Sequence, residues 1–273
     1  MAHRLRRLAA LSAGLTYVLI LLGVYTAAAG AGLTCDARWP LCDGAVFGLF
    51  PADWPSFVEW FHRLVAMITG VVVLGTTVAA FRGESDRRVR GALAVATLLL
   101  PAQIVLGGLT VTRYEWAILT AHFVTALTIF TGVLLAALWT TDVGATRERV
   151  REATAGAALA GPALVAFTPR LLFVYDAPVQ VAYYAVGLAA YAALLAATTW
   201  TESLGRRRVR LPTAAGAAVL FALLVTGRQV FGDAGQAAAL TGGVLAAALA
   251  ALAAWLTRRG DGGETGRGVP GDD

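Results

Sequence analysis

Charge is scarce in this chain. Of its 273 residues only 14% are charged, where a soluble domain carries about a quarter, while 58% are hydrophobic and the mean hydropathy is +0.69. That balance excludes a soluble globular domain. Lysine is absent, histidine occurs three times and cysteine twice, so a bare metal site built from clustered thiolates and imidazoles is not expected. The polar and apolar alternation of a membrane barrel is also missing. A net charge of +5 and a pI near 9.7 would invite a nucleic-acid partner, but the basic residues stand in short clusters between apolar runs, and nucleic acid is set aside.

What the chain has instead is 30 glycines and abundant alanine, which suit closely packed transmembrane helices. A spanning helix needs about 20 apolar residues, and eight such runs are present. They are Leu8 to Ala31, Phe57 to Phe81, Gly91 to Val111, Trp116 to Trp139, Ala155 to Val174, Pro178 to Trp200, Pro212 to Val230 and Gln236 to Leu256. Short connections make consecutive helices antiparallel neighbours. Seventeen of the 22 arginines fall in the N-terminal segment, the second-to-third, fourth-to-fifth and sixth-to-seventh loops, and the tail. The positive-inside rule then puts both termini in the cytoplasm and the first loop, with both cysteines, on the outer face of a multi-pass cell-membrane protein.

The start of the chain has a second reading. Basic residues, an apolar stretch and the run Ala27 to Gly32 have the pattern of a cleavable signal peptide, but the stretch exceeds a signal core of about 7 to 15 residues, and a retained helix gives the even count the arginines require. The tail after Arg259, rich in Gly and Asp, has too little apolar content to fold and is expected to be disordered.

His3 lies in the basic N-terminal segment and reads as solvated. His62 and His122 fall about five and six residues into the second and fourth runs, roughly 8 to 9 Å below the outer surface at 1.5 Å per residue. Two imidazoles at matched depth on helices of the same direction have the chemistry for axial ligation of a heme iron. The plain alternative, a lone polar residue hydrogen-bonded within the bundle, fits either one taken singly.

Glu59 stands three residues before His62 on the same helix face, and a carboxylate at that depth needs a partner or a task. Arg63 is either that partner or a contact for a heme propionate. The competing reading of Glu59 is an interfacial side chain reaching water. Cys35 and Cys42 in TCDARWPLCDG face an oxidising compartment and read as a disulfide, structural by default and redox-active in the sharper version. Trp39, Trp54, Trp60, Phe61 and Trp116 crowd the outer interface as belt residues, and a few of them could wall a porphyrin.

These residues, taken in order, resemble the heme A synthase family of the CtaA type. The match rests on CDARWPLCDG, on EWFHRLVAMITG opening the second helix, on QIVLGGLTVTRYEW ending the third, and on His122 in LTAHF. It covers about residues 10 to 140. The resemblance implies an all-α integral membrane protein of eight transmembrane helices in two pseudo-symmetric four-helix bundles. Residues 1–145 would form the substrate bundle, 146–259 a degenerate bundle without His ligands, and 260–273 the disordered tail. It implies oxidation of the C8 methyl of heme O to a formyl group, giving heme A for terminal oxidases and so a part in cytochrome oxidase assembly.

The implied site consists of Glu59, His62 and His122 as catalytic residues, with His62 and His122 on the heme iron. Arg63 and Arg113 would meet the propionates, and Cys35 and Cys42 would pair. Heme O is the implied substrate, heme O synthase and an electron donor are the implied contacts, and an oligomer is compatible.

The second half departs from the pattern. No His follows His122. Laying VQVAYYAV over VEWFHRLV sets Gln180 against Glu59 and Tyr183 against His62, and counting back from Trp255 sets Ala238 against His122. A heme b in this half is therefore doubtful. The rival function is a heme-binding membrane protein without oxidase activity, either a bis-His electron carrier or a heme chaperone. A two-repeat transporter is weaker, because the repeats share one orientation and no pair of helices broken by Gly or Pro marks a midplane site.

Overall fold

The structure, a computed structural model, describes residues 2–35, 38, 42, 53–83, 85–113, 115–140, 144–169, 171–227 and 232–259. Among these there is no strand. Nine α-helices follow one another: α1 Ala2–Ala28, α2 Trp54–Arg82, α3 Arg87–Leu98, α4 Leu100–Thr112, α5 Trp116–Thr140, α6 Arg147–Ala166, α7 Ala177–Ser203, α8 Arg207–Thr226 and α9 Gly232–Arg259. A 3-10 turn, Ala31–Leu33, follows α1. Trp39, Arg170, Arg228 and the tail 260–273 lie outside the described residues.

Seven helical stretches are long and apolar enough to cross a membrane: α1, α2, α3 with α4, α5, α7, α8 and α9. The protein is a multi-pass, all-helical membrane protein. The fifth apolar run corrects the sequence reading. Its helix, α6, begins eight residues earlier than Ala155, where the Thr146 hydroxyl accepts the Arg149 N–H at 3.2 Å, and it ends at Ala166 instead of Val174. Arg147, Glu148, Arg149, Arg151 and Glu152 charge its first turns, so the uncharged part is too short for a span by itself. Pro169 then holds the residue before it out of the α region, and Leu171, Leu172, Phe173 and Val174 leave the helix and are exposed.

Local chemistry moves two more boundaries. Asp53 caps α2, its carboxylate accepting the Ser56 N–H at 2.9 Å, and Pro55 in the first turn needs no acceptor, so α2 starts at Trp54. The third run is two helices that break at Leu99. Pro101 has no N–H to return to Thr97, and the last N–H of the first piece, that of Leu99, reaches the Val95 carbonyl at 3.2 Å. The matching helix of the second half, α8, passes Pro212 unbroken.

The helices pack in two groups. In the first, α1 lies against α2 and α5, α3 against α2 and α5, and α4 chiefly against α5. Hydroxyl pairs knit it together, Ser12 to Thr76 at 2.9 Å and Thr77 to Thr97 at 2.7 Å, the kind of polar link that serves between helices in lipid. In the second group α6 and α8 each touch α7 and α9. Small residues let these backbones close up: a Cβ on Gly161 would lie 2.3 Å from that of Ala247, and one on Gly187 would lie 2.7 Å from Leu224 Cδ2. The groups meet where α7 packs on α1 and α5. There the Tyr17 hydroxyl donates to the Ala185 carbonyl at 2.9 Å, the Thr131 and Tyr191 hydroxyls bond at 2.7 Å, and the Phe123 and Tyr184 rings meet edge to face at 5.3 Å.

Burial separates the two groups. Half of α7's apolar window is inside the protein, against 11% of that of α3 and α4, and α4 has no fully buried residue. The second group is a filled core around Leu188, Leu194, Leu220 and Leu224.

Candidate functional site

Three turns of α2 carry the polar residues of the site. Ser56, Glu59 and Arg63 lie at i, i+3 and i+7, so they form one stripe, and His62 stands beside it. The stripe holds the segment that follows α1. Glu59 is 3% exposed. Its Oε2 accepts the Cys35 backbone N–H at 2.8 Å and the Thr34 hydroxyl at 3.2 Å, and its Oε1 accepts from the Arg63 guanidinium. A second nitrogen of Arg63 donates to the Arg38 carbonyl at 2.6 Å. The Ser56 hydroxyl donates to the Thr34 carbonyl at 3.2 Å, and Cys42 Sγ lies 3.4 Å from the Ser56 carbonyl oxygen.

Cys35 and Cys42 form a disulfide with Cα atoms 4.5 Å apart, and α2 grips that loop at its first residue and at its middle. Glu59 is therefore not an interfacial side chain reaching water. Of the two partners open to Arg63, the structure shows Glu59.

The histidines come from two helices. His62, on α2, lies with its Cε1 edge against Gly23 of α1, where a Cβ would stand only 3.1 Å from that carbon. His122, on α5, lies the same way against Gly107 of α4, at 3.3 Å. The Gln103 amide nitrogen, one turn before Gly107, is 3.4 Å from His122 Nε2. His62 Nδ1 is buried with no hydrogen-bond partner among the described residues.

An orphaned ring nitrogen and two seats that any Cβ would fill fit an imidazole pair kept for an incoming group, and two protein nitrogens are what axial ligation of a porphyrin iron takes. Among the described residues no group of three or more His, Cys, Asp or Glu side chains gathers to hold a bare ion.

Arg113 does not join this set. It is exposed at the C-cap of α4, with no ion pair recorded among the described residues. Trp54, Phe57, Trp60 and Phe61 form a chain of rings 5.5 to 5.8 Å apart at the start of α2, whereas Trp116 stands 64% exposed. The residues that sequence reasoning missed are Gly23, Thr34, Ser56, Gln103 and Gly107. Gln103 and Gly107 sit inside QIVLGGLTVTRYEW, four apart and so on one face, a spacing that could have singled them out.

The second half offers no such pair. Tyr183 is 1% exposed, and its ring lies on Gly227, whose Cβ would stand 3.1 Å from Tyr183 Cε1. Gly107 and Gly227 each follow the first Arg of an Arg-Arg-Val-Arg segment, at Arg87 and Arg207, by 20 residues. The seat that takes His122 in the first group is thus covered by a phenol in the second. Gln180 bonds the Tyr175 carbonyl at 3.1 Å. Ala238 is exposed and its neighbour Ala239 buried, so the residue counted against His122 does not face the interior. These residues do not fit a heme.

Comparison with known proteins adds the following. A model of the COX15-CtaA family, cytochrome oxidase assembly protein, matches residues 6–175. A protoheme IX farnesyltransferase of Halobacterium salinarum is 38% identical over 127 residues, 46% of this chain and 28% of that protein. Heme A synthases of Bacillus licheniformis and Bacillus pumilus are 33% and 31% identical, over 42% and 50% of this chain and 38% and 45% of theirs. The matches thus span from about a quarter to less than half of the length of these relatives.

Proposed function

The chain belongs to the COX15-CtaA family of cytochrome oxidase assembly proteins, and from that premise we propose that it is a heme A synthase, oxidising the C8 methyl of heme O to a formyl group. The observation that carries the reading is the pair of imidazoles, His62 and His122, each laid against a glycine of the neighbouring helix. Relatives named heme A synthase support the reaction class.

In this reading residues 1–145 are the substrate bundle and residues 146–259 a scaffold bundle of related plan. With α6, at 20 residues as long as α8, counted beside the seven other spans, eight helices cross the bilayer. Both termini are then cytoplasmic and the disulfide loop is on the outer face, as the arginine distribution requires.

Taking the methyl to a formyl group removes four electrons and adds one oxygen atom, so the bound heme O would need an external oxidant of the dioxygen class. His62 of α2 and His122 of α5 would hold the porphyrin through its iron. Glu59 sits one turn from His62 with its charge balanced by Arg63, and its donors Cys35 N–H and Thr34 keep it in place to counter positive charge, or to take a proton, as the methyl group is oxidised. Arg113, exposed at the end of α4, remains within reach only of a propionate that projects toward solvent. The relatives named protoheme IX farnesyltransferase match 46% and 48% of this chain, which supports a working contact with the enzyme that makes heme O. An electron donor completes the partners.

A heme carrier without oxidase activity is the second reading, favoured by the loss of ligands in the second half. Co-expression with a heme O source and chromatography of the extracted hemes tests the two. Heme A beside heme O supports the synthase; heme B alone, with heme O left unconverted, supports the carrier.

A further inference from the structure

On the reading that His62 and His122 face a porphyrin, we propose that Gly23 and Gly107 are positioning residues that set the planes of the two imidazoles, and that Gln103 fixes the tautomer of His122. The two contacts are of one kind. In each, the Cε1 edge of a ring points at a glycine of an adjacent helix, and the nearest atom to the missing Cβ is that carbon, at 3.1 Å for His62 and 3.3 Å for His122. Both values are tighter than ordinary van der Waals contact, so an alanine would push the ring aside by a few tenths of an ångström. Most other glycines of the first group, Gly14, Gly70, Gly75, Gly91 and Gly108 among them, meet nothing within 4 Å. Glycine in a helix interior is unfavourable relative to alanine, so two that meet the two histidines are explained by the rings they admit.

Gln103 adds a second hold on His122. Its amide nitrogen lies 3.4 Å from Nε2, and its Oε1 is buried without a hydrogen-bond partner among the described residues. Turning the amide over places Oε1 on the Nε2–H, and that bond decides which ring nitrogen carries the proton. His62 has no such neighbour among the described residues, so there the two rings are held differently: one by packing, the other by packing and an amide.

The test uses the purified full-length protein in detergent with hemin as the probe, read by binding titration and by the low-spin electron paramagnetic resonance signal. Gly23→Ala and Gly107→Ala are expected to weaken binding by about tenfold, the lower end of what supporting residues of a metal site contribute, and to shift the low-spin signal. Gly108→Ala, next in sequence and facing open space, should stay within about twofold of wild type by the same comparison. Gln103→Leu should split the signal into two species, and Gln103→Glu, which keeps an acceptor oxygen, should restore one.

Wild-type affinity and signal in both the Gly23 and Gly107 variants overturns the seats. A single wild-type species in Gln103→Leu overturns the amide's part, and that variant decides the question if a glycine variant does not fold. A wild-type protein that binds hemin no better than its His62→Ala/His122→Ala double variant defeats the heme reading itself, and this inference with it.

Discussion

Glu59 Oε2 accepts the backbone N–H of Cys35 at 2.8 Å, which ties the first residue of the disulfide loop to the helix that carries His62. With Arg63 on the Arg38 carbonyl and Ser56 on the Thr34 carbonyl, α2 and the disulfide act on one short segment from both sides. The bridge joins Cys35 to Cys42 covalently, and the α2 stripe holds Thr34, Cys35 and Arg38 in place.

The disulfide is expected to stabilise by restricting the unfolded chain. For a closed loop of this size the entropy estimate is about 2.5 kcal/mol. Native protein should resist thiol alkylation until it is reduced, and a Cys35→Ser/Cys42→Ser variant should melt earlier in detergent, by no more than that energy because the α2 contacts remain. Rapid labelling without reductant would show free thiols and remove the bridge from the account. A double variant with full thermal stability but no heme A would assign the cysteines to electron transfer.

Glu59 is where structure and chemistry separate most cleanly. Removing one partner of a buried ion pair costs about 3 to 5 kcal/mol, and here Arg63 would be left behind, 14% exposed. Glu59→Ala should therefore lower the melting temperature markedly. Glu59→Gln keeps an oxygen for Cys35 N–H and Thr34 while losing the charge, so it should fold better than the alanine variant and still make little heme A. Wild-type heme A yield from a folded Gln variant would reduce Glu59 to a support for the loop.

The histidine pair carries the sharpest outcome. His62→Ala and His122→Ala each remove one ring from a packed but largely apolar setting, so both variants should insert and fold, and both should lose heme A formation when heme O is supplied. Full yield from either, measured by chromatography of extracted hemes, would refute the assignment.

Which features could be read from sequence follows from how far each depends on partners. Hydropathy finds a helix because lipid exposure acts on every residue alike, and the Trp116 to Trp139 run matches α5 within one residue. Hydropathy misplaced α6, whose buried face, Val150, Thr154, Ala157, Gly161 and Leu164, begins inside a charged turn where an apolar-run count sees nothing. It joined α3 to α4 because Leu98, Leu99 and Leu100 precede Pro101 and conceal a break in hydrogen bonding. The site was legible where residue type alone suggests the chemistry, as for His62, His122, Glu59 and the cysteine pair. Gly23 and Gly107 were not, since a glycine's role depends on which side chain arrives from the next helix. Tyr183 aligned with His62 by sequence, yet what it covers, Gly227, corresponds to the seat of His122.

The second half should carry no low-spin heme b. Bis-imidazole ligation needs two histidines, and none follows His122. The position laid against His62 is Tyr183, whose ring is sealed between Gly227 and Tyr184, and the one laid against His122, Ala238, is exposed. A tyrosinate can bind heme iron, but as a different kind of site from a His pair, and freeing the ring from this core would open a void beside Gly227, Tyr175 and Tyr184, which costs stability. The His62→Ala/His122→Ala double variant isolates the question, because any bis-imidazole signal in the wild type must then come from the first bundle alone. The reduced spectrum of that variant, reconstituted with heme b, should show no low-spin band. A persisting low-spin band would make the second half a heme site with ligands that the fold as described does not supply.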